Sequence, residues 1–179
     1  PFVNFPRIAS PMSPNAARAF GEHLLRVEEL GHSIDLEREQ RPASDAEQRV
    51  LARYIGWGHT NLAPVVAPLD ERAGQRDANV IQARQKLESI LTPKEFKELG
   101  ESVINAHYSF NDLPRALWSL VQRLGFKGGS VLEPAIGTGH FFGTMPMEIV
   151  QHKSTRLFGV DKEPIAAAIA KQLYQDAYV

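Results

Sequence analysis

Val131-Leu132-Glu133-Pro134-Ala135-Ile136-Gly137-Thr138-Gly139 is the stretch on which the fold of this chain turns. A Gly128-Gly129 turn leads into the short apolar run Val131-Leu132, which reads as a strand. An acid closes the run, and a proline with two glycines then bends the chain. In open α/β sheets ligands bind beyond the carboxyl ends of the strands. Glycines there let backbone come close to a ligand and take positive φ, and the N–H groups opening the next helix can receive polar groups. A second strand is expected from Leu157 to Val160, closed by Asp161, 22 residues after Gly139. A carboxylate in that place can accept hydrogen bonds from both hydroxyls of a ribose. With Pro164 starting a helix just behind it, Asp161 also suits a helix cap. A glycine loop with a ribose acid implies a cofactor that carries a nucleoside.

The loop excludes two common ligands. A dinucleotide fingerprint needs a glycine three residues after Gly139, where Phe142 stands and Gly143 comes one step late, and no Gly-Lys-Ser/Thr follows for a triphosphate. A carboxylate ahead of the glycines repels phosphates and attracts an ammonium group. S-adenosylmethionine fits that charge pattern.

Outward from this stretch the grammar is helical. Residues Pro1 to Pro14 hold four prolines and read as an extended arm. Ala16, Ala19, Phe20, Leu24, Val27 and Leu30 recur at helical spacing, and Gly31 is expected to stop that helix. Ser44 and Glu47 have capping-box spacing at the start of a helix running toward Gly56. Asn61 to Gly74, with Pro64 and Pro68, reads as a loop. Further helices are expected over Asp77 to Leu91, from Thr92-Pro93 to about Ile104, over Asn111 to Leu124, and from Pro164 to Tyr174, with a short helical piece after the glycine loop. Ala177-Tyr178-Val179 begins a possible third strand. The expected architecture is α/β: an arm over 1–14, a helical region over 15–104, and from 105 to 179 the first two or three strands of a parallel sheet with crossovers.

Composition narrows the setting. The chain has 179 residues, 43% hydrophobic and 23% charged, which is ordinary globular usage. It contains no cysteine, which rules out disulfides and thiolate chemistry, and no apolar run long enough to span a membrane. The expected location is cytoplasmic. A net charge of −1 leaves no bulk-charge footprint for binding a phosphate backbone. Beginning on Pro1, the chain is expected to derive from a longer protein.

Glu133-Pro134-Ala135-Ile136-Gly137-Thr138-Gly139 resembles the first cofactor motif of the class I methyltransferases that modify an amino group in DNA, and Asp161 stands where their second motif has its ribose-binding acid. The strings Asn105-Ala106-His107-Tyr108, Leu124-Gly125-Phe126-Lys127-Gly128-Gly129 and Val131-Leu132-Glu133-Pro134 to Phe141-Phe142-Gly143-Thr144-Met145-Pro146 resemble large methylase-helicase fusion proteins of phages and mobile elements, and Glu47-Gln48-Arg49-Val50-Leu51-Ala52-Arg53-Tyr54-Ile55-Gly56-Trp57-Gly58 resembles their region upstream. The similarity covers roughly residues 45 to 179.

The resemblance implies a Rossmann-like methyltransferase domain, truncated after two or three strands, that binds S-adenosylmethionine. It implies that Tyr108 and Ser109 help hold the methionine carboxylate, although Phe110-Asn111-Asp112 departs from the family's proline and glutamate. By the same carry-over Glu133 faces the methionine end, Pro134, Ala135, Gly137 and Gly139 line the cofactor, Asp161 takes the ribose and Lys162 flanks the adenine. The implied reaction is methylation of adenine's exocyclic amine in DNA, in a restriction-modification or mobile-element setting, with DNA contacted mostly by other parts of the parent. The family's catalytic Asn/Asp-Pro-Pro-aromatic motif is absent from this sequence. No catalytic residue is therefore expected here, nor activity from this segment alone. A missing C-terminal half or a partner is expected to cover the sheet edge.

Two alternatives stand beside this reading. The acceptor could be RNA, protein or a small molecule, since the cofactor half of such a fold says little about it. The segment could also be an interaction module with a vestigial pocket. Among single residues, Tyr108 suits a packed aromatic as well as a cofactor contact, Trp57 suits a plug under a loop, and His107 and His140 lack partners at ligand spacing, so no metal site is expected.

Overall fold

The structure, a computed structural model, describes residues 31, 33, 35–54, 63–66, 78–102 and 112–179. The expected arm, the helix over 15–30, Trp57, His107, Tyr108 and Ser109 lie outside the described residues.

Gly31, Ser33 and residues 35–39 are helical, so Gly31 does not end the helix as its type suggests. Ser33 and Leu36 are buried, and that burial outweighs the modest helix penalty of one glycine. The stop is Gln40, at φ 52, where Gln40 N–H donates to the Glu37 carbonyl and Arg41 N–H to that of Leu36. These are the two bonds of a Schellman turn, made without glycine.

The first full helix, α1, spans Asp45–Leu51. Its capping box is formed as expected: Ser44 Oγ accepts from Glu47 N–H, and the Glu47 carboxylate accepts from Ser44 N–H at 2.8 Å. The Arg41 guanidinium grips the same carboxylate with two bonds, at 2.6 and 2.9 Å, and holds it well below the ordinary carboxylate range.

Ala63–Val66 forms a one-turn helix, α2, inside the stretch expected to be a loop. Pro64 sits at a helix start, where its missing N–H costs nothing. Val65 and Val66 then bury completely against α3 (Ala78–Ile90) and α4 (Pro93–Ser102). Contacts made by those two valines, invisible to local turn chemistry, overrode the proline signal. Helices α3 and α4 follow their expected starts. Thr92 and Glu95 exchange a second capping box ahead of Pro93. Their charged residues form i,i+4 pairs on the surface, Arg84 with Glu88 and Lys94 with Glu98, while Ala83, Leu87 and Leu99 are fully buried.

Helix α5 (Asp112–Arg123) buries Pro114 and Trp118, and Trp118 Nε1–H donates to the Phe141 carbonyl at 2.8 Å. Strand β1 (Ser130–Glu133) pairs in parallel with β2 (Arg156–Gly159), in register from Ser130 opposite Arg156 to Glu133 opposite Gly159. Between them lie the glycine loop and two single-turn helices, α6 (His140–Gly143) and α7 (Met147–Val150). Helix α8 (Pro164–Leu173) closes the chain with its apolar residues buried. The expected third strand is a single bridge, Phe158 to Tyr178, on the far side of β2 from β1. The architecture is therefore mixed helix with a small parallel sheet, of α/β character.

One sheet face packs inward through Leu157, while Leu132, Phe158 and Tyr178 on the other are exposed, the Phe158 and Tyr178 rings stacked at 5.2 Å. Gly159 lies under Ile136, and a Cβ there would overlap the Ile136 Cδ1 methyl. We expect Gly159→Ala to destabilise the protein by about 1–3 kcal/mol, the usual cost of overpacking, in urea unfolding. In an Ile136→Ala background, which removes the clashing methyl at the cost of a cavity, Gly159→Ala should cost less than it does alone. Full tolerance of Gly159→Ala alone would contradict this packing.

Candidate functional site

The site is a bend of backbone between two strand ends. Chain leaves β1 at Glu133, whose carbonyl accepts from Val160 N–H at 2.9 Å, and turns so that Ile136 N–H reaches the Val160 carbonyl at 3.0 Å. Ile136 buries its side chain over Gly159. Gly137 and Gly139 then take φ of 53 and 86, the left-handed region that side chains resist. Gly139 N–H returns to the Ile136 carbonyl at 2.8 Å and closes the bend.

Asp161, two residues past the end of β2, holds this bend. Its Oδ2 accepts from Gly137 N–H at 2.7 Å and its Oδ1 from Glu163 N–H at 2.9 Å. The carboxylate thus sits against the glycine loop, half-buried, with each oxygen keeping lone-pair capacity for another donor. The helix-capping role that a residue before Pro164 invites falls to Glu163, whose two oxygens accept from Ile165 and Ala166 N–H at 3.0 and 2.6 Å. A glutamate directly ahead of a proline at the first helical position was the signal for that cap, and it was missed.

The loop is ringed by acid. Glu133 Oε1 accepts from Ala135 N–H at 3.3 Å. Burial pushes the Glu133 carboxyl above its ordinary range; the Ala135 N–H works against this, and repulsion from Asp161 adds to it. Burial likewise raises Glu163, opposed by its two backbone bonds and reinforced by the charges of Asp161 and of Glu98 on α4. Ionising either carboxyl in this setting works against the folded state. A cation bound here would reverse that, whereas a phosphate would add to it.

Of the residues expected at the site, Glu133, Pro134, Ala135, Gly137 and Asp161 come together around the bend. Lys162 is exposed beside it. Gly139 has a second reason to be glycine beside its positive φ: a Cβ there would overlap the Tyr174 ring, so this position is shaped from inside the protein. Tyr174 is the other participant that sequence reading missed. His140 opens α6 and is half-buried. Among the described residues no cluster of three or more His, Asp or Glu could hold a metal ion, and no helix is long and apolar enough to cross a membrane.

Comparison with known proteins adds nothing to this geometry: no protein-family model, no curated protein and no solved structure matches the chain.

The raised Glu133 value carries a sign. A carboxyl whose folded pKa exceeds its unfolded one favours the fold below the unfolded value, and the contribution is lost as pH rises through the folded value. Glu133→Gln keeps an acceptor for Ala135 N–H and removes the charge. The variant should be more stable than the parent at pH 7 in urea unfolding, and that advantage should vanish well below 4.5, the ordinary glutamate value. A variant no more stable at pH 7 would show that the carboxylate is already compensated.

Proposed function

We propose that the bend from Glu133 to Gly139, with Asp161, binds S-adenosylmethionine, and that the protein is the cofactor-binding part of a methyltransferase acting on the exocyclic amino group of adenine in DNA. The observation that carries this is the pairing of a positive-φ glycine loop at a parallel strand end with a carboxylate just past the end of the next strand, in an acidic surround. Loop and strand ends are where this class of sheet receives a nucleoside. The acid selects a cofactor bearing an ammonium and a sulfonium over one bearing a pyrophosphate.

In this reading Glu133 accepts from the methionine ammonium, Asp161 accepts from the ribose hydroxyls while keeping Gly137 in place, and Pro134, Ala135, Gly137 and Gly139 offer backbone along the cofactor. Tyr108 and Ser109 are assigned the methionine carboxylate and Lys162 the adenine edge on the resemblance alone. The DNA acceptor rests on the same resemblance. The cofactor, when bound, supplies an electrophilic methyl group. This chain's residues orient it, and the Asn/Asp-Pro-Pro-aromatic element that would present an amino group is not among the 179 residues. The exposed face of Leu132, Phe158, Val160 and Tyr178 is the surface that the rest of such a domain, or a partner, would cover.

Calorimetric titration with S-adenosylhomocysteine tests the assignment. Asp161→Ala should weaken binding by at least about tenfold, the scale of losing hydrogen bonds to a charged acceptor. Glu133→Gln should weaken S-adenosylhomocysteine several-fold and leave adenosine, which lacks the ammonium, unaffected. Equal affinity of wild type and Asp161→Ala would remove the ribose role, and a parallel loss of adenosine in Glu133→Gln would remove the ammonium role.

A further inference from the structure

We propose that Tyr174 is a positioning residue of the glycine loop, and that the segment 41–48 acts on the same loop through α8. The consequence for cofactor affinity rests on the reading above; the positioning itself does not.

Two hydrogen bonds pin the bend at its ends. Asp161, just before α8, takes Gly137 N–H, and Tyr174, just after it, donates its hydroxyl proton to the Gly139 carbonyl at 2.7 Å. The two ends of one helix thus hold the two ends of one three-residue bend. The Tyr174 ring fills the space a Cβ at Gly139 would need and meets Phe142 of α6 edge-on, with ring centroids 5.6 Å apart. A buried phenylalanine would fill that space equally well, so packing alone does not call for the hydroxyl. Glycines at positive φ lose much backbone freedom when held, and holding them before a ligand arrives raises affinity.

Helix α8 is in turn gripped by the 41–48 segment, two residues from Tyr174. Gln172 Oε1 accepts from Ala43 N–H at 2.8 Å, and Gln172 Nε2 donates to the Arg41 carbonyl at 3.2 Å. Gln48 Nε2 donates to the Gln172 carbonyl and Gln175 Nε2 to that of Ala43, both at 2.8 Å. Gln48 and Gln172 are buried, where a lost partner is expensive and a satisfied network admits a single arrangement. The network fixes the position of α8 along segment 41–48, and with it the position of the Tyr174 hydroxyl.

The test uses the whole chain, with Tyr174→Phe, Gln172→Met, and Leu87→Ala as a destabilising control in α3. Amide hydrogen exchange of residues 137–142, S-adenosylhomocysteine affinity and melting temperature are measured together. Tyr174→Phe should speed exchange in the loop and weaken affinity about fivefold, the scale of one hydrogen bond. Gln172→Met should speed loop exchange too. Leu87→Ala should lower the melting temperature without a selective effect on the loop. Wild-type loop exchange in Tyr174→Phe overturns the positioning role, and a Gln172→Met variant that only melts earlier overturns the coupling. If the wild type binds no S-adenosylhomocysteine while Tyr174→Phe still loosens the loop, the positioning stands and the cofactor assignment falls.

Discussion

One carboxylate organises this half of the molecule. Asp161 accepts hydrogen bonds from Gly137 N–H on one oxygen and from Glu163 N–H on the other, and so ties the loop after β1 to the turn after β2. Bonds to an ionised acceptor are among the stronger ones a protein makes. Once they are in place, Ile136 lies over Gly159, Gly139 is left-handed, and Glu163 stands where it can cap α8.

The same arrangement gathers negative charge. Glu133 and Glu163 are each repelled by Asp161, and burial first, with that repulsion added, works against ionising the two glutamates. Backbone N–H groups offset part of this cost; a bound cation would offset more. Burial and charge thus oppose ionisation at Glu133 and Glu163 while their backbone bonds hold them in place.

How much was legible beforehand varied with the range of the interaction involved. The capping box of Ser44 and Glu47, the proline start at Pro93, the strand before Glu133 and the helix after Pro164 were readable, because caps, turns and short apolar runs act within a few residues. The glycine bend was readable for the same reason, and Asp161 only as an acid closing the second apolar run, since its partner Gly137 lies 24 residues away. Gly31 misled because the stop belongs to Gln40 and the helix is held by the burial of Ser33 and Leu36. Pro64 misled because Val65 and Val66 find partners on helices that begin more than ten residues later. Tyr174 and Gln172 gave no local sign at all: their partners are 35 and 129 to 131 residues away.

By itself, the order of residues determined an acid, a pair of glycines and a second acid at the ends of two apolar runs, together with the near-neutral charge and the lack of cysteine. Local backbone preference and side-chain chemistry suffice for those. Tertiary structure alone decided that Asp161 grips the loop, that Glu163 and not Asp161 caps the helix, and that a tyrosine ring stands behind Gly139. Which donor meets which acceptor depends on how helices and strands pack, and packing is a property of the whole chain in space.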